Sequence, residues 1–292
     1  MKRLEASRFI NDMSRQHAPA YSIEPGESVI VATLDCEGGM IGRDGKRLPG
    51  QPCPNPATGP IEIKGAEAGE ALAVNIQKIV PADWGYIGGG GDKSNYTIID
   101  LKDGCAVYPW GLRLPLQPML GVIGLAPAGE PVPTITPGNH GGNLDTPEVC
   151  AGAVVFLPVA VAGGMLALGD AHALQGDGET GGTGIECQAE VTLSVARVRR
   201  PLTDVPYILH GDRLILVGSG EDLDEAARLA VEKMAKLLRD LLDISEVLAR
   251  RFFSTAGDLR ISQIVNPLRT CRAVVPRAAL GKAWPFPDVS PK

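Results

Sequence analysis

Thirty-six glycines and 24 prolines punctuate the 292 residues, against only 3 Trp, 5 Tyr and 5 Phe. Glycine and proline stop helices and build turns, so a chain broken this often is confined to short strands and tight connections. The runs between the breaks read accordingly. Pro25-Gly26 marks a turn before a Val29-Ile30-Val31 strand that ends at Asp35. A long loop follows over 48–60, then Ile61–Ile63 and Ala71–Ile76 in the manner of a β-meander. Residues 84–97, with Gly88–Gly91, read as a flexible loop before a Tyr96–Ile99 strand. Val154–Leu157 and Met165–Leu168 read as a hairpin through Gly163-Gly164 that delivers the chain to Asp170. Val191, Leu193 and Val195 alternate with Thr192 and Ser194, the period of a half-buried strand.

One long stretch has helical period. Leu223, Ala227, Val231, Met234, Leu238 and Leu241 recur at three- and four-residue steps, with charges on the opposite face. Ser219 with Asp222 resembles a capping arrangement, and Ser245 opens a second short helix to about Phe253. This order predicts a mainly β fold. Residues 1–200 form a jelly-roll or β-sandwich-like body that carries the site segments, and 201–292 form a smaller α+β part packed on it.

The net charge of −6 and basic runs no longer than Arg199-Arg200 and Arg250-Arg251 argue against a nucleic-acid surface. The sequence shows neither a secretory leader nor an apolar run of membrane-spanning length. Six scattered cysteines (36, 53, 105, 150, 187 and 271) without a C-x-x-C pair read as reduced thiols, which places the chain in the cytoplasm. Cys150 reads as a small buried residue rather than a nucleophile. The chain is expected to form a homodimer or higher homo-oligomer.

Chemistry concentrates in residues 169–190. Asp170, His172, Gln175, Asp177, Glu179 and Glu186 stand among Gly, Ala and Thr. Small residues let backbone approach a ligand while the polar groups converge on it. In an extended segment Asp170 and His172 share one face, as do Asp177 and Glu179. Two carboxylates and an imidazole at such spacing suit a divalent ion that activates water. A second segment, Thr136 to Asp145, turns at Gly141-Gly142 and throws His140, Asn143 and Asp145 around one concavity; Asx turns within a loop explain it equally well. Asp35, beside Gly38-Gly39, is a third candidate. His17 and His210 sit in no comparable cluster.

These residues carry a resemblance. Asn55–Pro60, Lys64–Glu70, Gly121–Pro127, Gly141–Asp145, Gly169–Glu179 and Asp258–Gln263 together resemble the acetamidase/formamidase family nearly end to end. The string Gly-Asp-x-His-Ala-x-Gln-Gly-Asp-Gly-Glu is its most specific part. The family pattern matches Asp35, Asn143, Asp145, Asp170, His172, Gln175, Asp177, Glu179 and Glu186. Thr180-Gly-Gly departs from the Val-x-Gly more usual there, which touches pocket shape.

The resemblance implies hydrolysis of formamide, acetamide or a similar short amide to carboxylate and ammonia, with a divalent metal near the motif. The sequence lacks the neighbourhoods of serine and Cys-Glu-Lys amidases, so metal-activated water is the simplest nucleophile. The expected ligands are His172 and Asp170 with Asp35 or Asp145, and zinc suits the imidazole, while calcium or magnesium suits a carboxylate-only variant. The expected catalytic group is Glu179, Asp177, Gln175 and Asn143. In it Glu179 is general base and proton shuttle, and Asn143 or Gln175 donates to the amide oxygen. Two alternatives stand beside this: a metal-dependent hydrolase of a larger or cyclic amide, and a non-catalytic metal-binding β-sandwich.

Overall fold

The computed structural model describes residues 1–88 and 96–286. Among them, nine strands form one sheet in the order Lys2–Leu4, Ser28–Thr33, Ala189–Val198, Ala71–Pro81, Val154–Pro158, Tyr207–His210, Arg213–Gly220, Arg269–Pro276, Asp258–Gln263. A second sheet runs Arg113–Pro115, Cys105–Val107, Thr97–Lys102, Trp84–Ile87, Glu186–Cys187, Leu166–His172, Met119–Gly124, Gly141–Asn143, and Ala57–Ile63 joins it along Leu166–His172. The chain is therefore mainly β, with a small helical contribution near its C-terminal end.

Side-chain alternation explains how the layers stack. Val155 and Leu157 belong to the core that also holds Ile61, Leu120, Ile123, Leu166 and Leu168 of the second sheet. Phe156 between them points the other way, with Leu214 and Leu216, onto Ala226, Ala230, Met234 and Leu238 of the Leu223–Leu242 helix. The nine-stranded sheet thus has the second sheet on one face and helices on the other. Each fully buried aliphatic side chain contributes about 1.5–3 kcal/mol, so this double-sided core holds both sheets in place. No helix of the described residues is long and apolar enough to cross a membrane.

Several connections differ from the sequence reading. Val154–Pro158 and Leu166–His172 are not a hairpin. The first pairs with Ala71–Pro81 and Tyr207–His210, the second lies in the other sheet, and Gly163 and Gly164, both at positive φ, carry the chain across. Ala57–Ile63 and Ala71–Pro81 are likewise in different sheets rather than a meander. Continuous apolar runs do not reveal which sheet a strand joins, because both faces are covered. Trp84–Ile87 is a strand paired with Thr97–Lys102, so the expected loop over 84–97 begins later; its residues 89–95 lie outside the described residues.

The long helix starts where expected, but its cap is Asp222, which accepts from Glu225 N at 2.8 Å; Ser219 lies inside a strand. Its fully buried residues include Ala226, Ala230, Met234, Ala235 and Leu238, and the two alanines at 226 and 230 lie close against Gly218 of the sheet, where a Cβ would meet Ala230 N at 2.5 Å. The expected boundary at residue 200 is not a break in the sheet. Tyr207–His210 pairs directly with Val154–Pro158, so the C-terminal strands extend the body's sheet rather than packing on it.

Candidate active site

Leu166–His172 is the axis of the site. It pairs with Met119–Gly124 along one edge, and with Ala57–Ile63 and then Glu186–Cys187 along the other. His172 stands directly opposite Glu186 in that ladder, which puts both side chains on one face. His172 Nε2 lies 3.1 Å from Glu186 Oε2 and 3.4 Å from Asp170 Oδ1. Asp145 reaches the same place from the segment after Gly141–Asn143. Gly121 makes the convergence possible, because a Cβ there would collide with Asp145 Oδ1 and meet Asp170 Oδ2 at 2.7 Å.

Among the described residues, metal-capable atoms fall into three overlapping groups, each within 4.8 Å: Asp145, Asp170 and His172; His172, Glu179 and Glu186; and Cys36, Asp170 and Glu186. The backbone is bent to achieve this. Asn55, Asp145, Asp170 and Glu179 all have positive φ, between 42° and 52°, among few non-glycine residues that do. Asn and Asp tolerate that region, whereas Glu179 is held there at a cost of about 1 kcal/mol or more.

Neighbouring amides aim the donors. His172 Nδ1 contacts Gln175 Oε1 at 2.7 Å, and Gln175 Nε2 donates to the Asp145 carbonyl at 2.8 Å. Since the Gln175 amide nitrogen is committed to a carbonyl, its oxygen accepts from His172 Nδ1–H, which aims Nε2 at the carboxylates, protonated in the metal-free protein and able to offer its lone pair to a cation. Asn55 Nδ2 donates to Asp170 Oδ2 at 3.1 Å, and Asn266 Nδ2 to Asp145 Oδ2 at 2.6 Å. Asn266 is itself placed by Gln263, whose Oε1 accepts from the Val265 and Asn266 N–H groups.

So many acids in one buried place shift each other's protons. Burial, then repulsion from Asp145, pushes Glu179 up to about 10. Burial and the Asp170 charge push Asp145 up to about 6, and burial pushes Glu186 up to about 7. Burial opposes a charged His172, but Glu186 and Asp170 outweigh it and hold its pKa well above the ordinary histidine value. Among the described residues, Asp145 Oδ1 and Glu179 Oε2 are buried without a hydrogen-bond partner, and Asp170 Oδ1 and Glu186 Oε2 have only the ion-pair contact with His172 Nε2. Orphaned carboxylate oxygens are costly inside a protein unless positive charge joins them. The residues present therefore fit a divalent cation.

The sequence-expected residues divide in their placement. Asp145, Asp170, His172 and Glu179 converge. Asn143 lines the cavity above them with its side-chain oxygen unpartnered. Gln175 is present, but both ends of its amide are engaged inside the protein, so it orients His172 instead of facing a substrate. Asp35 is displaced from the expected ligand set. Its Oδ1 accepts from Tyr86 OH at 2.9 Å and from the Glu37 and Gly39 N–H groups, and it is absent from the three donor groups. Asp177 does not share a face with Glu179, because the segment turns. Its exposed carboxylate pairs instead with buried Arg272 at 2.5 Å.

His140 does not line the cavity, and burial lowers its pKa to about 4, so it is neutral. Cys150 is half-buried, not buried, and burial pushes its thiol up to about 11, the wrong direction for a nucleophile. Glu186, Cys36, Asn55 and Asn266 were given no role by the sequence. Glu186 was visible in the dense segment, and Asn55 and Gln263 open and close two of the resembling stretches. Nothing local marks Asn266.

Asp170, Glu179, Glu186, Asn143 and Asn266 open into a cavity of about 710 Å³. The model of the acetamidase/formamidase family matches residues 125–279, which include both polar segments. The chain belongs to that family. It is 37% identical to an acetamidase of Bacillus halodurans over 97% of this chain and 99% of that one, with a TM-score of 0.90. An acetamidase of Yersinia enterocolitica superposes with a TM-score of 0.89 at 28% identity, over 96% of this chain and 93% of that one. A formamidase of Methylophilus methylotrophus is 25% identical over 54% of this chain and 56% of its own length. The chain spans between 56% and 63% of the length of the curated relatives it matches.

Proposed function

We propose that this chain is an amidohydrolase that cleaves the C–N bond of a short aliphatic amide, of the formamide or acetamide type, to a carboxylate and ammonia. The observation that carries the reading is the buried convergence of His172 with Asp145, Asp170, Glu179 and Glu186 beneath an open cavity that Asp170, Glu179 and Glu186 line. Relatives that carry the names acetamidase and formamidase support it.

Asp145, Asp170 and His172 would hold a divalent cation, with Glu186 beside them; the imidazole favours zinc, and the carboxylates tolerate calcium or magnesium. Such an ion polarises a carbonyl and makes nearby water more acidic. The remaining work falls to the chain itself. Glu179, ionised once a cation offsets the neighbouring negative charge, accepts a proton of the attacking water and returns one to the departing ammonia. Asn143 donates its amide N–H to the substrate carbonyl oxygen as negative charge develops there. Gln175 fixes the His172 ring, while Asn55 and Asn266 fix Asp170 and Asp145.

Ammonia release from formamide and acetamide by the purified, metal-supplemented chain tests the reading. The expected result is equimolar ammonia and carboxylate, abolished by a chelator and restored by metal. Absence of ammonia from every primary amide offered would overturn it.

A further inference from the structure

The turn that carries Glu179 is tethered from outside the cavity. Asp177 stands two residues before Glu179 and is absent from the cavity lining, yet its carboxylate accepts from Arg272 Nη2 at 2.5 Å. Arg272 is 1% exposed, whereas the Asp177 side chain is 51% exposed. A half-exposed carboxylate thus reaches down to a buried guanidinium, in a charge-assisted contact roughly twice as strong as a neutral hydrogen bond. Arg272 already has a buried acid in Glu148, whose Oε2 lies 2.8 Å from its Nε. Glu148 balances the Arg272 charge, so what Asp177 adds falls on the turn to which it belongs.

That turn needs holding. Gly178, at φ 92°, is a joint with no side chain to restrict it. Glu179 follows at φ 44°, a region in which a side-chain-bearing residue stays only when its surroundings impose it. The surroundings here act on the two residues before it. Gly178 N donates to the Ser262 carbonyl at 3.0 Å, and Ile264 N donates to the Gly178 carbonyl at 3.1 Å. Arg272 Nη1 donates to the Ile261 carbonyl at 2.9 Å and reaches Ser262 Oγ at 3.4 Å. Arg272 therefore anchors both the strand end and the turn hung on it.

Resting on the amidohydrolase reading, we propose that Asp177 is a positioning residue, whose latch onto Arg272 keeps the Glu179 carboxyl beside Asp145 and His172 beneath the cavity. Asp177 touches neither substrate nor cation. Without the latch the turn swings about Gly178, and Glu179 leaves the geometry that proton transfer requires.

The test is kcat and KM for acetamide of the metal-loaded full chain as wild type, Asp177→Ala, Asp177→Asn, Glu179→Gln and Asp177→Ala with Glu179→Gln. Displacing a reacting group by about 1 Å costs on the order of 100-fold, so Asp177→Ala should lower kcat by about 10- to 100-fold, with KM and bound metal little changed. Asp177→Asn keeps an acceptor for Arg272 and should lose less. In the Glu179→Gln background Asp177→Ala should lower kcat no further, because its effect passes through the Glu179 carboxyl. An Asp177→Ala chain as active as the wild type would overturn the inference while leaving amide hydrolysis standing. So would loss of bound metal, or an equal fall in kcat in both backgrounds, since either marks a role that does not pass through Glu179. No ammonia from the wild type with any primary amide would overturn both.

Discussion

Glu179 is the residue on which the proposed chemistry turns. It is buried, held at positive φ, and close enough to Asp145 for the two carboxyls to perturb one another. Glu179→Gln keeps the shape and removes the exchangeable proton. We expect kcat for amide hydrolysis to fall by about 10²- to 10⁴-fold, with bound metal unchanged. Loss of metal together with activity would instead make Glu179 a ligand. The raised carboxyls also set a pH dependence of stability in the metal-free protein. Glu179, at about 10, and Glu186, at about 7, bind protons more tightly folded than unfolded, and His172 shifts the same way. Their stabilisation is complete below the unfolded carboxylate range and is lost as pH rises toward about 10. A bound cation takes the place of those protons. The difference in Tm between metal-loaded and chelated protein should therefore widen from pH 5.5 to pH 8.5; a difference that shrinks over that interval would contradict the assignment.

At the scale of elements, the site is a product of strand register. His172 opposes Glu186, and Gly121 on the next strand leaves the space into which Asp145 and Asp170 both project. Gly121→Ala should leave a folded protein with weakened metal binding and greatly reduced kcat, since one methyl displaces both carboxylates; metal titration by calorimetry and ammonia release read the two effects. Much of this level was legible in the sequence. The Asp170/His172 spacing on a strand, the helix from residue 223 and the Ser245 cap follow from local periodicity and capping chemistry. The partners of each strand did not, because Val154–Pro158 and Leu166–His172 look alike as apolar runs yet belong to different sheets. Asp177 and Glu179 do not share the face that alternation predicts, since alternation applies only to extended backbone and the segment turns at Gly178 and Glu179, with φ of 92° and 44°.

At the scale of the whole molecule, the two sheets and the helices act as one support. C-terminal strands continue the sheet begun near the N-terminal end, and the turn after Asp258–Gln263 sends Asn266 back to Asp145 across 121 residues. Arg272, buried in the next strand, ties Asp177 and Glu148 to that same region. Contacts of this separation leave no local signature, which is why Asn266 was not found from the sequence while the dense 169–190 segment was. The central claim is that this long-range scaffold assembles a cation site around His172. Metal content per chain, measured for the wild type and for His172→Ala after identical loading and desalting, tests it most directly. The account predicts a stoichiometric divalent ion in the wild type and loss of most of it in a variant that remains folded by circular dichroism. Stoichiometric metal retained in folded His172→Ala would contradict it.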